Sequence, residues 1–392
     1  MDPRLREVEA QIEAAVAEGK VPAVVALIAD DRDVLYEKAV GVRAVNEPAP
    51  VDAGSVFWLA SMTKPIVTAA ALQLVEQGKL SLDAPLASLL PELAAAKVLE
   101  GFDETGQPRL RPARRSLTLR HLLTHTAGFG YDFGSADLLR YIKAMGLPTV
   151  ASGKRAALAL PLLFDPGERW EYGIGIDWAG LVIEAASGMR LSRYVAENIT
   201  GPLGMRETGF GLDEERRARR VAVHGRDGEG KFTVLGLDPP EAPEVDAGGH
   251  GLYGSARDYL RFTQMILEGG AREGVRILAP ETVRVMGTNQ VGDLEAGLVR
   301  SVLPQMAIEV PLPEGVRFRW GFGFLINEDP LPTGRRPGSL SWSGVANTYF
   351  WIDPAARLTG VFMTQFLPFG DPAVLSLVQA FESAAYAAFR PG

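Results

Sequence analysis

Short β-rich apolar runs stand near both ends of this chain, and a long helix-patterned stretch separates them. Near the start, residues 23–29 and 34–40 flank the polar Asp30-Asp31-Arg32-Asp33, the pattern of a hairpin. Near the end, residues 320–326, 348–352 and 358–364 read as strands, and 373–389 as a closing helix. Residues 80–290 read as mostly helical, broken by Pro/Gly-rich loops, with 178–186 and 259–267 the clearest helices. This order predicts an α+β fold: one antiparallel sheet made from both ends of the chain, flanked by terminal helices, with a helical lobe beside it. The expected division is a discontinuous domain of residues 1–60 and 318–392 and a mainly helical domain of 61–317. The active site is expected at their interface.

Of the 392 residues, 47% are hydrophobic and 22% charged, enough to bury a large core. A net charge of −8 argues against nucleic acid as a partner, since such binding rests on neutralising phosphates. The basic stretch of Arg109, Arg111, Arg114 and Arg115 reads as a solvated loop. The chain has no cysteine, which removes disulfides, thiolate metal sites and cysteine nucleophiles together. Its first residues lack the apolar run of a secretory signal, and no stretch approaches the roughly 18 apolar residues of a membrane span. The expected location is the cytoplasm, with no membrane partner; the oligomeric state stays open.

Ser61-Met62-Thr63-Lys64 opens an apolar helical run over residues 65–77. Residues three apart share a helix face, so Lys64 can reach the Ser61 hydroxyl and take its proton. Tyr172 lies in Trp170-Glu171-Tyr172-Gly173-Ile174-Gly175, a Gly-flanked loop ahead of a helix. Beside Lys64, its phenol could shuttle the serine proton, with a neighbouring ammonium lowering its pKa. Taken alone, it could equally be an aromatic packed at a helix start. Trp342-Ser343-Gly344-Val345 falls in a strand region, where a small Ser-Gly pair lets a substrate lie against backbone. The N–H groups of Ser61 and Val345 could then form an oxyanion hole; the alternative is an edge-strand bulge. Phe57, Phe129, Tyr131, Phe133 and Trp342 are candidates for the wall of an acyl pocket, or for plain core.

These elements, in this order, resemble the serine β-lactamase and penicillin-binding-protein superfamily, and more closely its class C-like branch, the family VIII carboxylesterases. The resemblance runs from about residue 20 to the C-terminus. It includes Leu59-Ala60-Ser61-Met62-Thr63-Lys64-Pro65, His121-Leu122-Leu123-Thr124-His125-Thr126-Ala127-Gly128, Pro202-Leu203-Gly204-Met205 and Gly248-Gly249-His250-Gly251-Leu252-Tyr253-Gly254-Ser255. It implies an acylated Ser61, proton handling by Lys64 and Tyr172, and an oxyanion hole completed by Val345. Two positions depart from the penicillin-recognising pattern: Ile174 stands where relatives place an asparagine, and Trp342 where they place a lysine. Each loss removes a bond worth about 1.5–3 kcal/mol to a charged group, which favours uncharged esters over β-lactams.

No G-x-S-x-G occurs, so the nucleophile elbow of an α/β-hydrolase is missing. His121 and His125 stand four apart but without the glutamate of H-E-x-x-H, and a structural role at a helix end is expected. The sequence therefore points to a cofactor-free serine carboxylesterase acting on short-chain, uncharged small-molecule esters, with acyl transfer as a close variant. Ile174, Phe129, Tyr131, Trp342, Ser343 and Gly344 are the expected substrate-binding residues. The alternatives are a β-lactamase or D-amino-acid peptidase, and a catalytically silent ligand-binding homologue.

Overall fold

The two ends of the chain meet in the middle of one sheet. A computed structural model describes residues 2–389. Among these, eight antiparallel strands run in the order Phe318–Trp320, Leu325–Asn327, Leu340–Gly344, Thr348–Asp353, Leu358–Met363, Ala23–Asp30, Val34–Ala44 and Glu47–Pro50. Leu358–Met363 pairs with Ala23–Asp30, from Val25 opposite Met363 to Asp30 opposite Leu358. Both strands are nearly continuous apolar runs because both of their faces are covered. Side chains alternate across the sheet. Val24, Ala26, Ile28 and Phe362 pack under the terminal helices Pro3–Ala17 and Pro372–Ala388, meeting Leu5, Val8, Ile12 and Phe381. Val25, Leu27, Val361 and Met363 face the opposite way, into a core shared with the helices of the central segment. Each terminal helix begins at an aspartate, Asp2 or Asp371, that accepts from backbone N–H groups just ahead of it, with proline in the first turn.

The helix Thr63–Glu76 runs through that second core. Every residue from Thr63 to Leu74 is buried, which suits a helix apolar on all sides. It packs against the helix Gly175–Ser187, so the residues that open the two helices come together.

The central segment is less helical than its composition suggests. Helices such as Ala136–Met145, Gly175–Ser187 and Ala256–Leu267 are present, but so are the hairpins Lys97–Phe102/Pro108–Pro112 and His224–Arg226/Phe232–Val234. A small sheet joins Phe57–Trp58, Leu252–Gly254 and Gly209–Phe210. The first hairpin turns on Asp103, whose carboxylate accepts from the N–H groups of Thr105 and Gln107. The arginine-rich stretch is correspondingly not a free loop. Arg111 forks onto the buried Asp165 at 3.0 and 2.8 Å, and the Arg114 N–H donates to the same carboxylate at 2.7 Å. Residues 320–326 form two strands rather than one. Gly321 and Phe324 close a turn between them, and Gly323 takes a left-handed φ of 81° where a side chain would meet Thr68 and Pro65. Among the described residues, no helix is long and apolar enough to cross a membrane.

Candidate active site

Ser61 sits on a tight turn between a short strand and the buried helix. Phe57–Trp58 pairs with Tyr253 and Gly254, and the chain then bends through Ala60 at a left-handed φ of 47°. That conformation costs roughly 1–2 kcal/mol for a residue with a Cβ, and the surroundings hold it. The Leu59 N–H donates to the Leu252 carbonyl at 3.0 Å, the Leu252 N–H to Thr63 Oγ1 at 3.0 Å, and the Tyr259 hydroxyl to the Met62 carbonyl at 3.0 Å.

Lys64, one turn on, is wholly buried. Its Nζ lies 3.1 Å from Ser61 Oγ, 3.1 Å from the Tyr131 hydroxyl and 2.8 Å from the Gly249 carbonyl. Burial disfavours the ammonium and pulls the Lys64 pKa down to about 7, against a smaller opposing pull from the Asp177 charge. Tyr172 behaves differently from the sequence expectation. No ammonium lowers its pKa; burial outweighs its hydrogen bonds to Ser61 and Trp342 and pushes it above the usual phenol value. The site therefore offers an amine able to be neutral near pH 7 and a phenol that keeps its proton.

An aromatic box fixes Tyr172. His125 stands 4.9 Å from its ring, Trp342 5.0 Å and Tyr131 5.2 Å, centroid to centroid. The Trp342 indole N–H donates to the Tyr172 hydroxyl at 3.2 Å. His125 is buried at a left-handed φ of 58° and also packs on Trp170 and Trp320. Burial, reinforced by Lys64, holds its pKa well below the usual imidazole value. His121 faces elsewhere, with Nδ1 3.1 Å from Thr118 Oγ1.

A cavity of about 520 Å³ opens over the serine. Ser61, Tyr131, Phe133, Tyr172, Trp342, Ser343 and Val345 all line it. Val345 follows the strand Leu340–Gly344 directly, and that strand is internal to the sheet rather than an edge. Further out the wall is apolar, with Trp58, Leu303, Met306, Val310 and Leu312. Three expected substrate-binding residues lie outside this wall. Ile174 is fully buried just ahead of the helix Gly175–Ser187. Phe129 stacks on Trp178 and borders a separate cavity. Gly344 is buried against the serine turn, where a Cβ would stand 2.5 Å from the Leu59 carbonyl oxygen. Phe57 is core as well.

Two site residues escaped the sequence reading. Asp177 and Gly249 both border the Lys64 amine's surroundings. An acid in the first turn of a helix reads as an ordinary partner of the helix dipole, and Gly249 stands only within the family-like stretch Gly248 to Ser255, with no role of its own. Neither carries a spacing signal toward Lys64.

The frame of sheet and helices, with a buried lysine one turn after a serine that lines the cavity, defines a serine enzyme of the β-lactamase and penicillin-binding-protein fold. The profile of the Beta-lactamase family matches residues 8–383, and the chain belongs to that family. It is 34% identical to a monacolin J acid methylbutanoyltransferase of Aspergillus terreus, over 96% of this chain and 94% of that one. It is 31% identical to a lovastatin esterase of Penicillium rubens, over 95% and 96% of the two chains. The unliganded simvastatin synthase of Aspergillus terreus, as its selenomethionyl derivative, superposes with a TM-score of 0.87 at 32% identity, covering 100% of both chains. An acyl transferase and an esterase thus stand among the relatives of this chain.

Proposed function

We propose that this chain is a serine esterase and acyltransferase acting on uncharged, apolar esters through an acyl-enzyme on Ser61. Neutral Lys64 takes the Ser61 proton as Oγ attacks the ester carbonyl. The N–H groups of Ser61 and Val345 receive the developing oxyanion. Tyr172, still a phenol, gives a proton to the departing alkoxide and is reprotonated by the Lys64 ammonium, which returns the amine to its neutral form. The acyl-enzyme is then released by water or by an alcohol. The observation that carries this reading is the wholly buried Lys64 amine, 3.1 Å from Ser61 Oγ, with its pKa drawn down to about 7. A silent ligand sensor has no use for so costly a buried amine.

Substrate charge follows from the cavity wall. Trp342 stands where a lysine would attract a lactam carboxylate. Among the described residues lining the cavity, the only lysine or arginine is Arg335, and Glu382 already pairs with it. The family VIII affinity fits this preference, and short esters should react. The cavity is far larger than a short ester needs, so an apolar alcohol has room beside the acyl group; this favours transfer as a second activity. The test pairs p-nitrophenyl butyrate with nitrocefin on one preparation, adding a fluorophosphonate label and an apolar alcohol in excess. Label on the Ser61 peptide, lost in Ser61→Ala, with esters preferred about 10²–10⁴-fold and new ester formed from the alcohol, is the expected outcome. Labelling undiminished in Ser61→Ala would sink the assignment, and equal nitrocefin turnover would put the β-lactamase reading first.

A further inference from the structure

Asp177 lies in the first turn of the helix Gly175–Ser187, 3% exposed, and forms no salt bridge among the described residues. Its two oxygens are nonetheless in use. Oδ1 accepts the Gly249 N–H at 2.9 Å, and Oδ2 accepts the Tyr131 hydroxyl at 3.4 Å. Tyr131 and Gly249 are also the two groups, besides Ser61, that meet the Lys64 amine: the phenol oxygen at 3.1 Å and the Gly249 carbonyl at 2.8 Å. One buried carboxylate therefore holds both.

The valence of a neutral amine gives this arrangement its meaning. Such a nitrogen has two N–H donors and one lone pair. If the donors are spent on the Gly249 carbonyl and the Tyr131 oxygen, the lone pair is left for the third neighbour, Ser61 Oγ at 3.1 Å. We propose that Asp177 is the positioning residue for Lys64, fixing Tyr131 and the Gly249 peptide so that the amine lone pair faces the serine hydroxyl. When Ser61 attacks, its O–H bond breaks, the proton bonds to Nζ, and the oxygen electron pair forms the bond to the ester carbonyl carbon. The ammonium then has three N–H donors, and the Asp177 charge lies one hydroxyl beyond it. Gly249 supports the same reading: a Cβ there would stand 2.3 Å from Asp177 Oδ2 and 2.8 Å from the Tyr131 hydroxyl, so the close approach needs glycine. The other titratable groups facing this centre are Tyr172 and His125, both buried, the half-buried His250, and Asp132 beside Tyr131; burial lowers both imidazole pKa values.

The inference rests on Lys64 being the base for Ser61, and the experiment separates the two claims. Asp177→Asn keeps shape and can still accept from Gly249, but it loses the charge and turns an amide N–H₂ toward Tyr131. With p-nitrophenyl butyrate, kcat should fall about 10–100-fold while KM stays within about threefold. The acid limb of kcat/KM should move to lower pH, because a charge that favours the ammonium is gone. Tyr131→Phe cuts the same relay at the phenol and should lose kcat similarly, and the double variant should fall little further than the worse single. Wild-type kcat with an unmoved acid limb in Asp177→Asn, or full additivity with Tyr131→Phe, overturns the inference. If Asp177→Asn does not fold, Tyr131→Phe decides, and unchanged kcat there overturns it equally. Turnover kept by Ser61→Ala would overturn both claims; turnover lost in Ser61→Ala but kept in Asp177→Asn overturns this one alone.

Discussion

Acidifying the enzyme from about pH 8 to pH 5 should switch it off through one group. The Lys64 pKa is drawn down to about 7 by burial, so its base form exists above that value and is lost as pH falls through it. By the titration relation, about nine-tenths of the amine is neutral at pH 8, about one-tenth at pH 6 and about one-hundredth at pH 5. If acylation needs the neutral amine, kcat/KM falls about tenfold between pH 8 and 6 and about 90-fold by pH 5. Tyr172 adds no alkaline limb near neutrality, since burial pushes its pKa above the ordinary phenol value. The assay is initial-rate hydrolysis of p-nitrophenyl butyrate at constant ionic strength, with circular dichroism at each pH to show that the fold persists. A profile flat down to pH 5 would mean that another group takes the serine proton. An acid limb centred above pH 9 would mean that Lys64 keeps an ordinary pKa, and the desolvation argument would fail.

Three further outcomes can be checked. Lys64→Met replaces the buried amine with an apolar chain of similar length, so kcat should drop about 10²–10⁴-fold while the melting temperature holds; a turnover loss under tenfold would remove the amine from the mechanism. Gly344→Ala would force a Cβ to 2.3 Å from Thr348 Oγ1 and 2.5 Å from the Leu59 carbonyl, displacing the serine turn. It should cost about 1–3 kcal/mol of stability and lower kcat as well, and unchanged values in denaturant titration and kinetics would show that the strand gives way freely. Asp165 is held near a pKa of about 2, chiefly by the Arg111 fork, so its contribution is complete above about pH 4 and fades as pH falls toward 2. Asp165→Asn should lower the melting temperature at pH 7 and flatten its decline between about pH 4 and 2; parallel curves for the two proteins would contradict this.

Much of the frame is written in local pattern. Residues 23–29 and 358–364 read as strands because a strand covered on both faces is apolar at nearly every position. Ser61 and Lys64 were legible because a helix fixes the relation of residues three apart whatever surrounds it. Tyr172 was legible as a candidate on its Gly-flanked loop, but its role rested on the resemblance, since an aromatic before a helix has many uses. The central hairpins were missed because their strands mix charged with apolar residues and depend on turns such as that at Asp103 and on pairings such as Arg111 with Asp165. The one-strand reading of 320–326 failed at Gly323, whose left-handed φ is set by its packing on Thr68 and Pro65. Side-chain chemistry at the site lay further still from the sequence. Burial moves Lys64 toward neutrality and, with a smaller push from the Asp177 charge, keeps Tyr172 protonated, and burial is a property of the assembled core. Ile174 looked like a substrate contact by its place beside Tyr172, yet it is fully buried, while the cavity wall draws on neighbours such as Tyr172 and on segments as distant as Ser61 and Leu303. Asp177 meets Lys64 through Gly249 and Tyr131, from three separate segments of chain. Local order fixes what neighbours in sequence can do; which distant groups share a dry pocket, and so which protons can move, is decided only when the segments pack.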